Sequence, residues 1–131
     1  MSKLNDDAKA LLDRPVHAWV TALRPDGSLH STVVWVELDG DDVVFNTAVG
    51  RAKERFLRQD PRVSVSVLDP DHSHHLVSVS GTAKFELEGA DETIDRLAKK
   101  YLGADSYPFR QPGEQRVNVR VTPERVIHMA P

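Results

Sequence analysis

The feature that most constrains the fold of this chain is a series of short alternating segments separated by turn sequences. Small apolar residues recur at every second position over 16–23, and 29–38 is rich in β-branched and aromatic residues. The stretches 25–28 (PDGS) and 39–42 (DGDD) have the residue types of tight turns. With a third strand over 43–47, the first part of the chain is predicted to be an antiparallel meander, because turns this short cannot join parallel strands.

The same alternation continues after residue 60. Further strands are predicted over residues 63–67, 76–86, 117–121 and 126–129. Gly81 falls inside the longest of them and predicts a bulge or bend. Pro123 and Glu124 predict a turn that separates the last two strands.

Three helices are predicted between and before the strands. The first begins after Asn5 as its N-cap and ends before Pro15. The second covers 51–59, and the third runs from Asp91 as its cap to Gly103. The apolar positions of the third helix follow the helical repeat and are Ile94, Leu97, Ala98, Tyr101 and Leu102.

Length and composition place these elements in one domain. The chain has 131 residues with no internal repeat and no linker, so a single domain over 1–131 is predicted. The order of elements predicts a mainly β fold: an antiparallel barrel of six to seven strands with helices at its ends.

Composition also excludes several classes of protein. There is no apolar run of about 18 residues, so no membrane partner is expected. Residues 1–7 lack the apolar core of a signal peptide, and the chain has no cysteine, which together favour a cytoplasmic location. The formal net charge of -3 argues against a nucleic-acid partner, because phosphate-backbone binders usually carry a basic excess.

One segment departs from this acidic average. Residues 47–62 carry five basic side chains against two acidic ones, and they read as a strand end, a glycine and a helix start. A helix N-terminus offers unpaired N–H groups and the positive end of its dipole. Arg51 and Lys53 at that turn would complete a phosphate site. As a surface pattern alone, the same charges are also typical of a solvated helix.

A barrel of this size cannot easily enclose a large cofactor, so a cleft shared between two copies is expected. An apolar strand face such as Trp19, Leu23, Val34 and Val36 would then meet its twin.

The order of motifs resembles the pyridoxamine 5'-phosphate oxidase-like split β-barrel family, over nearly the whole chain. Within that family the chain is most similar to the reductases that use the deazaflavin coenzyme F420. The matching segments are ALRPDGS at 22–28, STVVWV at 31–36, GRAKER at 50–55, DPRV at 60–63, GTA at 81–83 and RVNVRVTPERV at 116–126.

The resemblance implies an FMN-binding-like split barrel that forms a homodimer with a cofactor in each cleft between the subunits. It implies that the cofactor contacts the second strand and, at its phosphate end, the residues around the start of the second helix. It also implies contacts from the other subunit at the start of the fifth strand. These residues are Ser31, Thr32, Val33, Val34, Trp35, Thr47, Ala48, Arg51, Lys53, His74, His75 and Leu76. Relatives often have an aromatic residue near His74, which this chain lacks.

The implied activity is hydride transfer from reduced F420 to an unsaturated or heteroaromatic small molecule. The cofactor supplies the reactivity and the protein supplies position and charge. The proton donor stays open among His17, His74, His75, Tyr107 and solvent. The alternatives are an FMN-binding oxidase-like protein and a non-catalytic flavin or deazaflavin carrier; a haem-binding relative would rest on the histidines alone.

No metal site is predicted. His72, His74 and His75 lie near Asp69 and Asp71, but the segment reads as an exposed loop and offers no second ligand group. The segment Tyr107-Pro108-Phe109-Arg110 is interpreted as a packed loop, with a substrate-pocket wall as the alternative. The Trp35 side chain is expected either to pack in the barrel or dimer core or to line the cofactor pocket.

Overall fold

A computed structural model describes residues 3–131, and this part of the chain forms seven strands and three helices. The elements in chain order are α1 (Asp6–Asp13), β1 (Ala18–Leu23), β2 (Leu29–Val34), β3 (Val36–Asp39), β4 (Asp42–Ala48), α2 (Ala52–Gln59), β5 (Arg62–Leu68), β6 (Leu76–Glu86), α3 (Ala90–Leu102) and β7 (Arg116–Met129). Within residues 3–131, no helix is long and apolar enough to cross a membrane.

The strands form one antiparallel sheet in the order β2-β1-β5-β6-β7-β4-β3. The two edge strands, β2 and β3, are separated in sequence by Trp35 alone. The sheet must therefore curl until its edges approach one another, which produces a split barrel. This confirms the predicted mainly β, antiparallel barrel with flanking helices.

The single strand predicted over 29–38 is wrong, because the chain turns a corner at Trp35. Before the corner β2 pairs with β1, and after it β3 pairs with β4. Side chains of α3 hold the corner: the Tyr101 hydroxyl accepts the Val36 N–H at 3.1 Å, and Lys100 Nζ donates to the Val36 carbonyl at 2.7 Å. Strand propensity is equally good on both sides of the corner, so the sequence pattern does not reveal it.

The turn predicted at Pro123-Glu124 is also wrong, since β7 continues through it. The register passes from Gly81 opposite Pro123 to Ser80 opposite Arg125, which leaves Glu124 as an extra residue. This is the bulge predicted at Gly81. Pro123 is tolerated there because proline has no backbone N–H to donate to the neighbouring strand, and hydrogen bonding between strands is already interrupted at a bulge. A Cβ at Gly81 would lie 2.4 Å from the Thr122 carbonyl oxygen, so only glycine fits there.

The helices begin and end close to their predicted limits. The Asn5 side chain caps α1 by accepting the Ala8 N–H at 2.8 Å, as predicted. For α3, Gly89 and not Asp91 occupies the N-cap, and Asp91 lies in the first turn, where the helix dipole favours a carboxylate. Gly103 ends α3 with a φ of 71°, as expected for a C-terminal glycine.

The inward faces of the strands form the core, together with α1 and Leu57 of α2. Val34 and Val36 belong to this core, which contradicts their predicted place on a dimer face. Val34 lies opposite the buried Ala18, so both side chains point into the barrel. Trp19 points outward and is 55% exposed, which agrees with an outer apolar face.

Candidate functional site

A cleft of about 180 Å³ lies beside the Trp35 corner. It is bounded by the end of β4, the start of α2, the inner side of α3 and the segment between α3 and β7. Ile94 and Leu97 of α3 form an apolar floor, and cationic and aromatic side chains form the walls.

The cationic wall consists of Arg51, Lys53 and Arg116. Arg51 occupies the N-cap of α2, where its guanidinium pairs with Glu114 at 3.2 Å. Arg116 is buried at the start of β7 and pairs with the other oxygen of Glu114 at 3.0 Å. One carboxylate thus serves two arginines, and with Lys53 the wall keeps an excess of two positive charges.

Lys53 is the group in this wall that lacks a counter-ion. Its side chain is half-buried, and no carboxylate among residues 3–131 pairs with it. Burial, followed by the nearby charges of Arg51 and Arg116, holds the pKa of Lys53 below its usual value. An unpaired, partly buried ammonium is unfavourable unless a ligand supplies negative charge.

The acidic residue of the same helix turn is turned away from the cleft. Glu54 is buried, accepts the Gly50 N–H at 2.8 Å and pairs with Arg58 four residues along α2. Burial acts to raise the pKa of Glu54, but the Gly50 and Arg58 contacts lower it overall. Glu54 therefore stays ionised, but its carboxylate binds Gly50 and Arg58 and does not neutralise Lys53.

A buried polar network fixes Arg116. Its Nε donates to the Asn46 side-chain oxygen at 2.7 Å, and its guanidinium lies 5.1 Å from the centre of the Tyr107 ring. Asn46 in turn donates to the side chain of Asn118 and to the Ala90 carbonyl, both at 2.8 Å. These fully satisfied groups hold the cation rigidly at the cleft.

Thr47 contributes an unsatisfied hydroxyl to this site. Its side chain is buried, and Oγ1 has no hydrogen-bond partner within residues 3–131. A buried hydroxyl without a partner costs about 1–3 kcal/mol, so a ligand that hydrogen bonds to it would recover that energy.

The aromatic wall consists of Trp35, Tyr107 and Phe109. Trp35 stacks on Tyr101 at 5.4 Å between ring centres, with 13° between planes, and meets the edge of Tyr107 at 6.1 Å. Asp95 of α3 anchors this wall by accepting the Tyr107 N–H at 2.9 Å. The wall presents π-faces suited to a planar ring system.

Six of the twelve predicted cofactor residues line this cleft: Val33, Val34, Trp35, Thr47, Arg51 and Lys53. Ser31, Thr32 and Ala48 lie on the adjoining strands but do not line it. The Ser31 hydroxyl instead lies 2.8 Å from that of Thr21 on the outer face.

His74, His75 and Leu76 lie elsewhere on the chain, at and just before the start of β6. His74 is exposed, and Leu76 pairs with Leu68 and Met129. The His75 ring lies between two carboxylates, 2.8 Å from Asp69 and 2.7 Å from Asp7. Their contact with a cofactor in a second subunit stays a prediction.

Asn46 and Arg116 belong to the site but were not among the predicted site residues. Asn46 interrupts the apolar strand β4, and Arg116 begins β7; a buried polar side chain at either place requires a partner. The sequence does not show that these two side chains meet, because 70 residues separate them. Tyr101, predicted as helix core, uses its hydroxyl to bridge the Val16 carbonyl, at 2.6 Å, and the corner at Val36.

Comparison with solved structures places the chain among similar folds. A protein named F420 Reductase superposes with a TM-score of 0.80 at 26% identity, covering 91% of this chain and 94% of that one. A conserved hypothetical protein from Mycobacterium tuberculosis gives a TM-score of 0.74 at 24% identity, covering 96% and 84%. A putative pyridoxamine 5'-phosphate oxidase from Listeria innocua gives 0.70 at 20% identity, covering 91% and 92%.

Sequence comparison agrees with the structural one. No curated protein matches the sequence significantly. The family model described as pyridoxamine 5'-phosphate oxidase matches residues 4–130, which is almost the whole chain. This chain therefore belongs to the pyridoxamine 5'-phosphate oxidase-like split-barrel family.

Proposed function

We propose that this protein is an oxidoreductase that binds coenzyme F420 in the cleft and reduces an unsaturated or heteroaromatic small molecule. The observation that carries the proposal is the cationic wall, in which a half-buried Lys53 lies beside Arg51 and Arg116 with no counter-ion from the described part of the chain. The likeness to the protein named F420 Reductase supports the deazaflavin over other cofactors of this fold.

The residues present fit a phosphate-bearing planar cofactor. Lys53, Arg51 and the free hydroxyl of Thr47 would hold the phosphate, whose negative charge complements the cationic wall. The first turn of α2 adds backbone N–H groups and its dipole. Trp35 would bound the ring system on the aromatic side of the cleft.

When bound, reduced F420 supplies a hydride from C5 of its ring system. The chain's own residues orient the ligand and exclude water, since Ile94 and Leu97 form an apolar floor. Among the four side chains considered as proton donors, Tyr107 is the one that lines the cleft. We therefore propose Tyr107 or solvent as the source of the proton.

A homodimer is part of this proposal, because the cleft is smaller than the roughly 300–1,000 Å³ of ordinary ligand pockets. A second copy would supply the missing wall. An uncharged row crosses five neighbouring strands on the outer face and fits such a contact. The row consists of Val33, Trp19, Ser66, Ser78 and Ile127.

Two alternatives remain within the same site. FMN also combines a planar ring with a phosphate, and the fold alone does not separate the two cofactors. A non-catalytic carrier would bind either cofactor stoichiometrically without turnover.

Parallel fluorescence titrations of the purified protein with F420 and FMN test the proposal. Preferential F420 binding, followed by multiple turnovers with reduced F420 and an acceptor, is the expected result. Preference for FMN would move the protein to the flavin-binding alternative, and binding without turnover across an acceptor panel would favour the carrier. If neither cofactor binds, the proposed function is wrong.

A further inference from the structure

A second cluster of functional side chains lies away from the cleft and shares no residue with it. Asp7 of α1, His75 before β6 and His128 of β7 converge although the chain separates them by up to 121 residues. Nε2 of His75 and Nε2 of His128 each lie 2.7 Å from the same oxygen, Asp7 Oδ2. The three candidate ligand atoms all lie within 4.8 Å of one another.

The surroundings of His75 orient its ring for ligation. Its Nδ1 lies 2.8 Å from Asp69 Oδ2, and Asp69 is held by Arg14 at 3.0 Å and by the Asp71 N–H at 2.9 Å. A carboxylate on the far nitrogen of an imidazole is the usual means of fixing a metal-binding histidine, because it keeps the proton on Nδ1 and leaves Nε2 free.

We propose that Asp7, His75 and His128 bind a late first-row divalent metal ion such as Zn²⁺, which cross-links α1 to β6 and β7. Two imidazoles and a carboxylate suit these ions better than Mg²⁺ or Ca²⁺, which prefer oxygen ligands. Bonds of about 2.0–2.2 Å place tetrahedral ligand atoms roughly 3.3 Å apart, so each 2.7 Å distance from Asp7 to a histidine must lengthen by less than about 1 Å.

Solvent can reach this site and provide a fourth ligand. The Asp7 side chain is 49% exposed, whereas those of His75 and His128 are 14% and 18% exposed. The ion would thus enter past Asp7 and keep one water, with both imidazoles held in place by the protein. This proposal does not depend on the proposed cofactor function.

Asn5 works against ligation, and it provides a sharp test. Its Nδ2 lies 3.1 Å from His128 Nδ1, while its Oδ1 caps α1 through Ala8. A metal on Nε2 requires the remaining proton to sit on Nδ1, where Asn5 presents a donor instead of an acceptor. Asn5→Asp keeps a good N-cap and supplies that acceptor.

The experiment is calorimetric titration of chelator-treated protein with Zn²⁺, together with the visible absorption of the Co²⁺ form. We expect one ion per chain and a tetrahedral Co²⁺ spectrum. His128→Ala removes a ligand and should weaken Zn²⁺ binding by about 100-fold. Asn5→Asp should tighten Zn²⁺ binding by about tenfold, which is the usual size of the effect of a residue that hydrogen bonds to a metal ligand. His74→Ala removes an exposed histidine nearby and should change nothing, and Ser73→Asp controls for added charge.

Lack of stoichiometric Zn²⁺ binding by the wild type would overturn the proposal, as would unchanged affinity in His128→Ala. Equal tightening by Asn5→Asp and Ser73→Asp would show a general charge effect and also contradict it. If His128→Ala fails to fold, Asp7→Asn serves instead, since it keeps the size and a hydrogen-bond acceptor while losing the charged ligand. Circular dichroism of each variant establishes that it is folded.

Discussion

Replacing Lys53 by methionine should weaken cofactor binding without destabilising the fold. The change removes one charged hydrogen bond to a bound phosphate, which is worth about 1.5–3 kcal/mol, so the Kd should rise about 10- to 150-fold. In the free protein the same change removes a half-buried ammonium that faces Arg51 and Arg116 without a counter-ion. The free energy of unfolding should therefore stay level or increase, as measured by urea denaturation.

Arg51→Ala should cost less affinity than Lys53→Met. Arg51 already pairs with Glu114 at 3.2 Å, so part of its charge is offset before a ligand binds. Fluorescence titration of both variants with F420 at fixed ionic strength measures the order of the two effects.

Arg55→Met is the matched control for Lys53→Met. Arg55 lies on the same helix, but it is exposed and its guanidinium lies 5.9 Å from the centre of the Phe56 ring. The Arg55→Met substitution removes the same charge outside the cleft and should leave the affinity for F420 nearly unchanged. An equal loss in both variants would mean that long-range attraction, and not a site at Lys53, binds the anion. Unchanged affinity in Lys53→Met would refute the phosphate site.

Three further predictions concern pH, packing and assembly. Burial lowers the pKa of Lys53 in the free protein and a bound phosphate would raise it, so affinity should fall as pH rises through the lowered pKa, by up to tenfold per pH unit. Titrations at a series of pH values between neutral pH and the ordinary lysine pKa of about 10.4 should show this fall in the wild type and not in Lys53→Met. Gly81→Ala places a Cβ 2.4 Å from the Thr122 carbonyl oxygen and should cost about 1–3 kcal/mol in urea denaturation, and an unchanged midpoint would contradict that packing. Trp19→Glu should convert a dimer to a folded monomer in sedimentation velocity, and a dimer that survives would place the interface on another face.

Much of the fold could be predicted because local patterns specify local structure. The strand over 76–86 and the cap at Asn5 were both predicted correctly from neighbouring residues alone. The corner at Trp35 and the continuous β7 could not be predicted in the same way. The corner and the continuous β7 depend on which distant strand pairs with each segment, and the local sequence does not indicate that partner.

The candidate site divides along the same line. Arg51 and Lys53 stand out locally, since both lie at a strand-to-helix junction in an acidic chain. Arg116 and Asn46 form a hydrogen bond only because β4 pairs with β7. Neither residue can be recognised as part of the site before that pairing is known. The cluster of His75 with Asp7 and His128 is hidden from the sequence for the same reason.

Two unfavourable local features lie side by side in the cleft, and their proximity supports a ligand. Within residues 3–131, Lys53 is half-buried without a counter-ion, and the Thr47 hydroxyl is buried without a partner. The nearest acid on α2, Glu54, could have relieved Lys53, but it is turned toward Gly50 and Arg58. A fold optimised for stability alone would pair these groups with one another. A ligand with negative charge and several acceptor oxygens would satisfy both at once, and a phosphate has both properties.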